Sequence, residues 1–263
     1  DDKIMAYIDI HDLEDEAFIN EHYLVFCTKK GTIKKTTVEA FSRPRANGIV
    51  AINIAEGDEL LAVRLTNGNC EVMMAVKSGR AIRFPEEKVR PMGRTATGVI
   101  GIELADDQDE VVGMITVEKG DKEKTVLVVS ENGYGKRSQL VDQETGEQEY
   151  RITNRGGKGV STIKITPKTG ALITIRDVTD KDDLMIICES GMAIRMGVED
   201  LRVMGRATQG VRLINLRDGD RIASVTRIEK DEDEDIGPIE GEEHEGNEGD
   251  AAGDVTETNT TEE

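Results

Sequence analysis

The chain has 263 residues and a formal net charge of −19, with 33% charged residues, 3% aromatic residues and no Trp, so any core must be aliphatic. No apolar run approaches the roughly 18 residues a membrane span needs, and the opening Asp1-Asp2-Lys3 is unlike a secretory signal. A soluble, cytoplasmic protein with no membrane partner is expected. Cys27, Cys70 and Cys188 are odd in number and widely spaced, which argues against a zinc site or a disulfide framework. They read as small buried hydrophobes.

In chain order, Ile4-Met5-Ala6-Tyr7-Ile8 matches stretches that recur later, such as Leu60-Leu61-Ala62-Val63 and Ile222-Ala223-Ser224-Val225, which close repeats. The chain is therefore expected to start inside a unit, with at least one earlier repeat upstream, as a piece of a longer protein. Residues 1–22 are assigned to the last strand of that unit plus an acidic, solvated link. The first complete unit follows. Tyr23 to Thr28 and Thr32 to Thr36 flank the turn Lys29-Lys30-Gly31 and predict a hairpin. Arg45-Ala46-Asn47-Gly48 leads into the run Ile49 to Ile54, and Gly57-Asp58 turns into Leu60 to Val63. Four strands per unit are expected.

This pattern returns three more times, at a period of roughly 50 residues, and such self-similarity marks a repeat architecture. The complete copies span Tyr23 to Asn67, Glu71 to Val117, Thr125 to Val178 and Leu184 to Ile228. The hairpin glycine recurs as Gly31, Gly79, Gly133 and Gly191, and a later glycine as Gly48, Gly98, Gly159 and Gly210. Four residues after each hairpin glycine stands a cation: Lys35, Arg83, Arg137 and Arg195. Short apolar runs between turns, with no helix of 10 residues required, predict an all-β fold whose four-stranded antiparallel units form propeller-like blades over residues 23–230.

The charge is uneven. Residues 231–263 carry 15 acids and no Lys or Arg, while residues 1–22 carry 8 acids and one Lys, leaving the repeats with 33 cations and 30 acids. Within the repeats, residues 28–45 hold six cations and one acid, and residues 77–94 hold six cations and two acids. A basic face on an acidic molecule is the electrostatic footprint of a polyanion-binding surface. The segment 231–263 is too acidic and too poor in aromatics to fold alone and is expected to be a disordered tail that competes with a polyanion for the basic face.

Several stretches carry a resemblance to the C-terminal domain of the DNA gyrase A family: Gly31-Thr32-Ile33-Lys34-Lys35-Thr36, Gly57-Asp58-Glu59-Leu60, Asn132-Gly133-Tyr134-Gly135-Lys136-Arg137 and Met204-Gly205-Arg206-Ala207-Thr208-Gln209-Gly210-Val211. It covers residues 1 to 230. The resemblance implies a β-pinwheel, a propeller whose blades exchange a strand, which bends double-stranded DNA around a basic outer rim without catalysing cleavage or using ATP itself. It also implies partnership with the remainder of gyrase A and with gyrase B. The family's hallmark Gln-Arg-Arg-Gly-Gly-Arg/Lys-Gly box belongs to its first blade, and this chain begins after that blade; Asn154-Arg155-Gly156-Gly157-Lys158-Gly159 is similar but lacks the leading Gln-Arg.

With DNA as the partner, the recurrent cations Lys35, Arg83, Arg137 and Arg195 are expected to form a spaced positive rim. Lys34, Lys136, Arg45, Arg94, Arg155 and Arg206 extend it through the loops, and Lys29, Lys30, Arg43, Arg80, Arg90, Lys158 and Arg202 complete it. The competing reading of the recurrent cations is that they solvate an exposed sheet edge and block edge pairing. No paired carboxylates and no Ser/His or Cys/His arrangement stand out, so no catalytic residue, metal or cofactor is expected. The alternatives are the corresponding domain of topoisomerase IV and a propeller that serves as a protein-binding scaffold.

Overall fold

A computed structural model describes residues 3–10 and 13–229. The acidic segment expected to be a disordered tail lies outside the described residues. A short helix α1 (Glu16–Glu21) precedes the strands β1 (Tyr23–Thr28), β2 (Thr32–Thr37), β3 (Leu60–Thr66), β4 (Cys70–Val76), β5 (Arg80–Pro85), β6 (Val99–Ile100), β7 (Val111–Glu118) and β8 (Thr125–Ser130). They continue as β9 (Tyr134–Gln139), β10 (Val160–Ser161), β11 (Leu172–Val178), β12 (Asp182–Cys188), β13 (Ala193–Gly197), β14 (Val211–Arg212) and β15 (Ile222–Glu229).

The sheets are antiparallel, with strand orders β3-β1-β2-β6, β10-β5-β4-β7, β11-β8-β9-β14 and β13-β12-β15. Each of the first three is completed by two residues from the next copy: Val99 pairs with Ile33, Val160 with Ala81 and Val211 with Gly135. The strand exchange implied by the resemblance is therefore present. It corrects the expectation that all four strands of a sheet come from one repeat, and Ile49 to Ile54, expected as a strand, forms none. The strands β3, β7, β11 and β15 adjoin across neighbouring sheets, so they form the inner edge and the donated strands the outer edge.

The cores lie between sheets. Val25, Cys27 and Ile33 of the first pack with Val72, Met74, Ile82 and Phe84 of the second. Met73, Ala75 and Ala81 of the second pack with Val126 and Val128 of the third, and Leu127 and Val129 of the third with Leu184 and Ile186 of the fourth. A central sheet therefore buries both faces, and its strands lack a polar side: all seven residues of β4 are buried. The cysteines are all buried and free, and burial pushes the Cys27 thiol up from its ordinary range. The link before the first hairpin is not wholly solvated as expected. Asp15 caps α1 by accepting from the amides of Ala17 and Phe18, and Ile19 is buried against Leu24, Phe26 and Val63.

Candidate nucleic-acid interface

Covered sheet faces decide the fate of the recurrent cations. Lys35, Arg83 and Arg137 are 4%, 6% and 7% exposed, whereas the side chain of Arg195 is 39% exposed. Arg83 Nε donates to Glu71 Oε2 at 2.7 Å, and its Nη1 donates to the carbonyls of Tyr150 at 3.0 Å and Leu140 at 3.2 Å, both in the following copy. Lys35 Nζ donates to the carbonyl of Glu86 at 3.2 Å and lies 3.4 Å from its carboxylate, while passing 4.7 Å from the Tyr23 ring centroid. Arg137 donates to the Leu201 carbonyl and pairs with Asp180. Beside each buried cation the backbone is stitched to the next copy: the amides of Met92, Thr153 and Met204 donate to the carbonyls of Lys35, Arg83 and Arg137 at 2.8, 2.9 and 2.9 Å.

These three side chains latch one copy to the next, which corrects their assignment to a positive rim: in this arrangement their charges meet carboxylates and carbonyls of the chain itself. Arg195 keeps the within-sheet pair, Nε to Asp183 Oδ2 at 2.7 Å, but its sheet exposes Ile187 and Ala193 on the uncovered side. It alone of the four remains open to solvent.

Lys34 and Lys136 also leave the rim, since both are buried. Lys34 donates to the carbonyls of Ala51 and Arg94, and Lys136 to that of Gly205, so each supports an outer-edge loop from beneath. Burial lowers both ammonium groups to about 8 from the ordinary 10.5, with Arg94 adding to the effect on Lys34. Below pH 8 each is charged whether the chain is folded or not, and the full cost of burying the charge is present. Between pH 8 and 10.5 the unfolded chain binds more protons, so these groups make stability rise with pH. Denaturant midpoints from pH 7 to 10 should show wild type gaining on Lys34→Met/Lys136→Met; a constant difference would remove the buried-ammonium assignment.

The outer edge remains basic once those five are removed. Each of the three donated strands is entered through a segment without any acid: residues 88–100 carry Lys88, Arg90 and Arg94; 151–161 carry Arg151, Arg155 and Lys158; 201–212 carry Arg202, Arg206 and Arg212. The matching stretch of the first copy, 42–50, forms no strand but is likewise acid-free and carries Arg43 and Arg45. Arg43, Arg45, Arg90, Lys158 and Arg202 are exposed, while Arg94, Arg155 and Arg206 are half-buried. The half-buried members brace the edge. Arg155 donates to the carbonyls of Lys88 at 3.1 Å and Ile100 at 3.0 Å, and Arg206 to that of Ser161 at 3.3 Å. From β5, Arg80 reaches the carbonyls of Lys158 at 2.8 Å and Gly159 at 2.9 Å.

Lys29 and Lys30 belong to a different environment. Lys29 pairs with Glu59 at 2.9 Å, the Lys30 amide donates to Asp58 at 2.9 Å, and Asp106, Asp109 and Glu110 line the same hollow at the hairpin end. Three cations of the outer segments escaped the sequence reading: Lys88, Arg151 and Arg212. Arg212 Nη2 donates to the Tyr134 hydroxyl at 2.9 Å, which holds that phenol below its ordinary range, and its guanidinium carbon lies 5.5 Å from the ring centroid. The signal that finds them is the absence of Asp and Glu around each later glycine.

A string of exposed guanidinium and ammonium groups at successive sheet edges, in which Lys158 lies 3.5 Å from Glu103 and Arg206 3.9 Å from Glu149, offers charge-assisted hydrogen bonds to anions spaced along a path. No helix among the described residues is long and apolar enough to cross a membrane.

The family model described as DNA gyrase C-terminal domain, beta-propeller, matches residues 22–67, 71–118, 124–179 and 182–229. The chain is 45% identical over 233 residues to the DNA gyrase A protein of Staphylococcus epidermidis strain ATCC 12228, covering 89% of this chain and 25% of that protein. Identity to the DNA gyrase A protein of Staphylococcus aureus strain MRSA252 is 45% over 234 residues, with the same coverage. The chain thus spans about a quarter of the length of these relatives. Among solved structures, the C-terminal domain of DNA topoisomerase IV is similar with a TM-score of 0.73 at 24% identity, covering 84% of this chain and 65% of that one. The DNA gyrase A C-terminal domain is similar with a TM-score of 0.66 at 24% identity, covering 80% and 67%. With the family model matched across all four repeats, the chain belongs to the DNA gyrase C-terminal domain, beta-propeller family.

Proposed function

We propose that the chain binds double-stranded DNA along its outer sheet edge and bends it, as a non-catalytic wrapping domain of a cytoplasmic bacterial DNA gyrase A protein. It serves supercoiling driven by ATP elsewhere in an assembly with gyrase B. The observation that carries this reading is the run of acid-free basic segments that enter the donated strands, with exposed Arg90, Lys158 and Arg202, together with the matching stretch of the first copy, with exposed Arg43 and Arg45. Identity of 45% to gyrase A favours gyrase over topoisomerase IV. The mechanism is neutralisation of phosphates along a curved path: bonds to the DNA backbone release counterions and carry little sequence information. Bending 20–30 base pairs by 40–90° costs about 1–6 kcal/mol, which binding at successive sheet edges offsets.

Affinity for short duplexes of unrelated sequence should be similar and should fall steeply with salt. Substituting Arg90, Lys158 and Arg202 by Ser should lower the slope of log affinity against log salt by about 0.9 for each phosphate no longer neutralised. Fluorescence anisotropy across a salt series reads both quantities. An unchanged slope and affinity in the triple variant would overturn the assignment.

A further inference from the structure

The inner strands enclose a second basic feature. Between β3, β7, β11 and β15 lies a cavity of about 860 Å³, reached also by residues 4–7. Its charged lining is Arg64 of β3, Lys124 before β8, Arg176 and Asp177 of β11, and Arg227 of β15: four cations to one carboxylate. Asp177 is already shared, lying 3.1 Å from Lys124 and 3.6 Å from Arg227. Arg227 also approaches Asp182 at 4.0 Å and pairs with Glu229.

Arg64 and Arg176 make no ion pair among the described residues, although the charge of the adjoining Asp177 also acts on Arg176. Arg64 Nη1 donates to the Val63 carbonyl at 2.9 Å and Arg176 Nη1 to the Ile175 carbonyl at 3.0 Å, each bond made to the adjoining residue. A guanidinium carries five N–H donors, so each keeps most of its fork unused. Both are half-buried and close enough to repel: burial, and then the charge of Arg64, hold Arg176 below the ordinary arginine range. Arginine remains protonated at neutral pH all the same. Two like charges held together at a partly desolvated site are destabilised until an anion lies between them.

We propose that this inner cavity is a binding site for a small phosphorylated anion, with the guanidinium groups of Arg64 and Arg176 clamping a diphosphate. The planar fork of arginine matches phosphate oxygens in pairs, and two forks suit two linked phosphates. The volume lies within the ~300–1,000 Å³ of small-molecule sites. Lys124 and Arg227 are held at the wall by Asp177, and they keep the surrounding potential positive. The site is separate from the outer edge, whose cations are on the donated strands and the segments before them.

The test is isothermal titration calorimetry of the 263-residue chain with inorganic pyrophosphate and, in a second arm, with adenosine diphosphate at matched ionic strength. A saturable one-site isotherm is expected with pyrophosphate, about tenfold or more weaker in Arg64→Gln/Arg176→Gln and intermediate in Arg64→Lys/Arg176→Lys, which keeps charge but loses the fork. Arg90→Gln/Arg202→Gln, on the outer edge, should titrate as wild type. Equal binding of both ligands, or tighter binding of the nucleotide, supports the clamp; nucleotide binding without pyrophosphate binding overturns it. The wild-type chain should also melt at a higher temperature in pyrophosphate than in chloride of equal ionic strength, a readout that needs no variant. Absence of that shift, absence of saturable heat, or undiminished binding by the Gln pair would overturn the proposal. So would a loss of duplex affinity in the Gln pair equal to that of the outer-edge pair, which would make the cavity part of the DNA surface.

Discussion

Arg83→Met is expected to cost about 3–5 kcal/mol of folding stability while leaving the duplex affinity of the folded fraction within about twofold. The substitution leaves the Glu71 carboxylate buried without its 2.7 Å partner and strips the donor from the Tyr150 and Leu140 carbonyls. An uncompensated buried charge is the costly part, so Glu71→Gln/Arg83→Met should lose less than the sum of the single variants. Arg90→Met makes the contrast. Arg90 is exposed, and its replacement should change stability by less than about 0.5 kcal/mol yet weaken DNA binding. Urea unfolding and anisotropy on the same samples separate the two roles. A stable Arg83→Met protein with impaired DNA binding would restore the rim assignment and remove the latch.

The second large effect is expected at Gly159, immediately before the donated strand β10. Its φ of +68° is one that side chains rarely adopt, and a Cβ there would lie 2.4 Å from the Ala81 carbonyl oxygen of the accepting strand. The obstacle is backbone, which yields only if β10 separates from β5. Gly159→Val should lose about 3 kcal/mol or more, combining the left-handed penalty of about 1–2 kcal/mol with the broken pairing. The Thr162 amide, which donates to the Gly79 carbonyl at 2.9 Å, should then exchange its hydrogen much faster. Gly146 is the control, because it has a φ of +72° but nothing within 4 Å of an added Cβ. Gly146→Val should lose only the backbone part. Equal losses at the two positions would mean that close approach to Ala81 is not what demands glycine.

The contrast between Gly159 and Arg83 shows what was legible in the sequence. Glycines at fixed offsets and short apolar runs located the four copies and the turns, because positive φ and alternation are local requirements. Most of the outer cations were named for the same reason, since they flank those glycines, but Lys88, Arg151 and Arg212 were passed over. Strand exchange was not readable from spacing, because a two-residue pairing such as Val160 with Ala81 leaves no periodicity and came only through the resemblance. The latch was misread because alternation within one strand does not reveal that neighbouring sheets cover both faces. A signal was present nonetheless: Glu71 and Asp183 stand twelve residues before Arg83 and Arg195, directing a carboxylate toward each cation. In the first copy Tyr23 takes that position and offers its ring to Lys35.

Strand donation has a consequence for how such a chain tolerates change. The unit of sequence and the unit of sheet are out of phase: the segment ending at Ser161 lies within the third copy yet completes the sheet of the second. Excising one full period, from any point in one copy to the matching point in the next, leaves each remaining acceptor edge before the last sheet facing a Gly-Val donor of the same kind. Excising the residues of one sheet removes two separate pieces, and neither cut heals the other. Lengthening the stretch between β9 and β10 moves neither partner, since Val160 remains tethered through Gly159 to Ala81 whatever precedes it. Gain or loss of whole periods is thus the change this architecture accepts most readily, and the offset between copy and sheet makes it so.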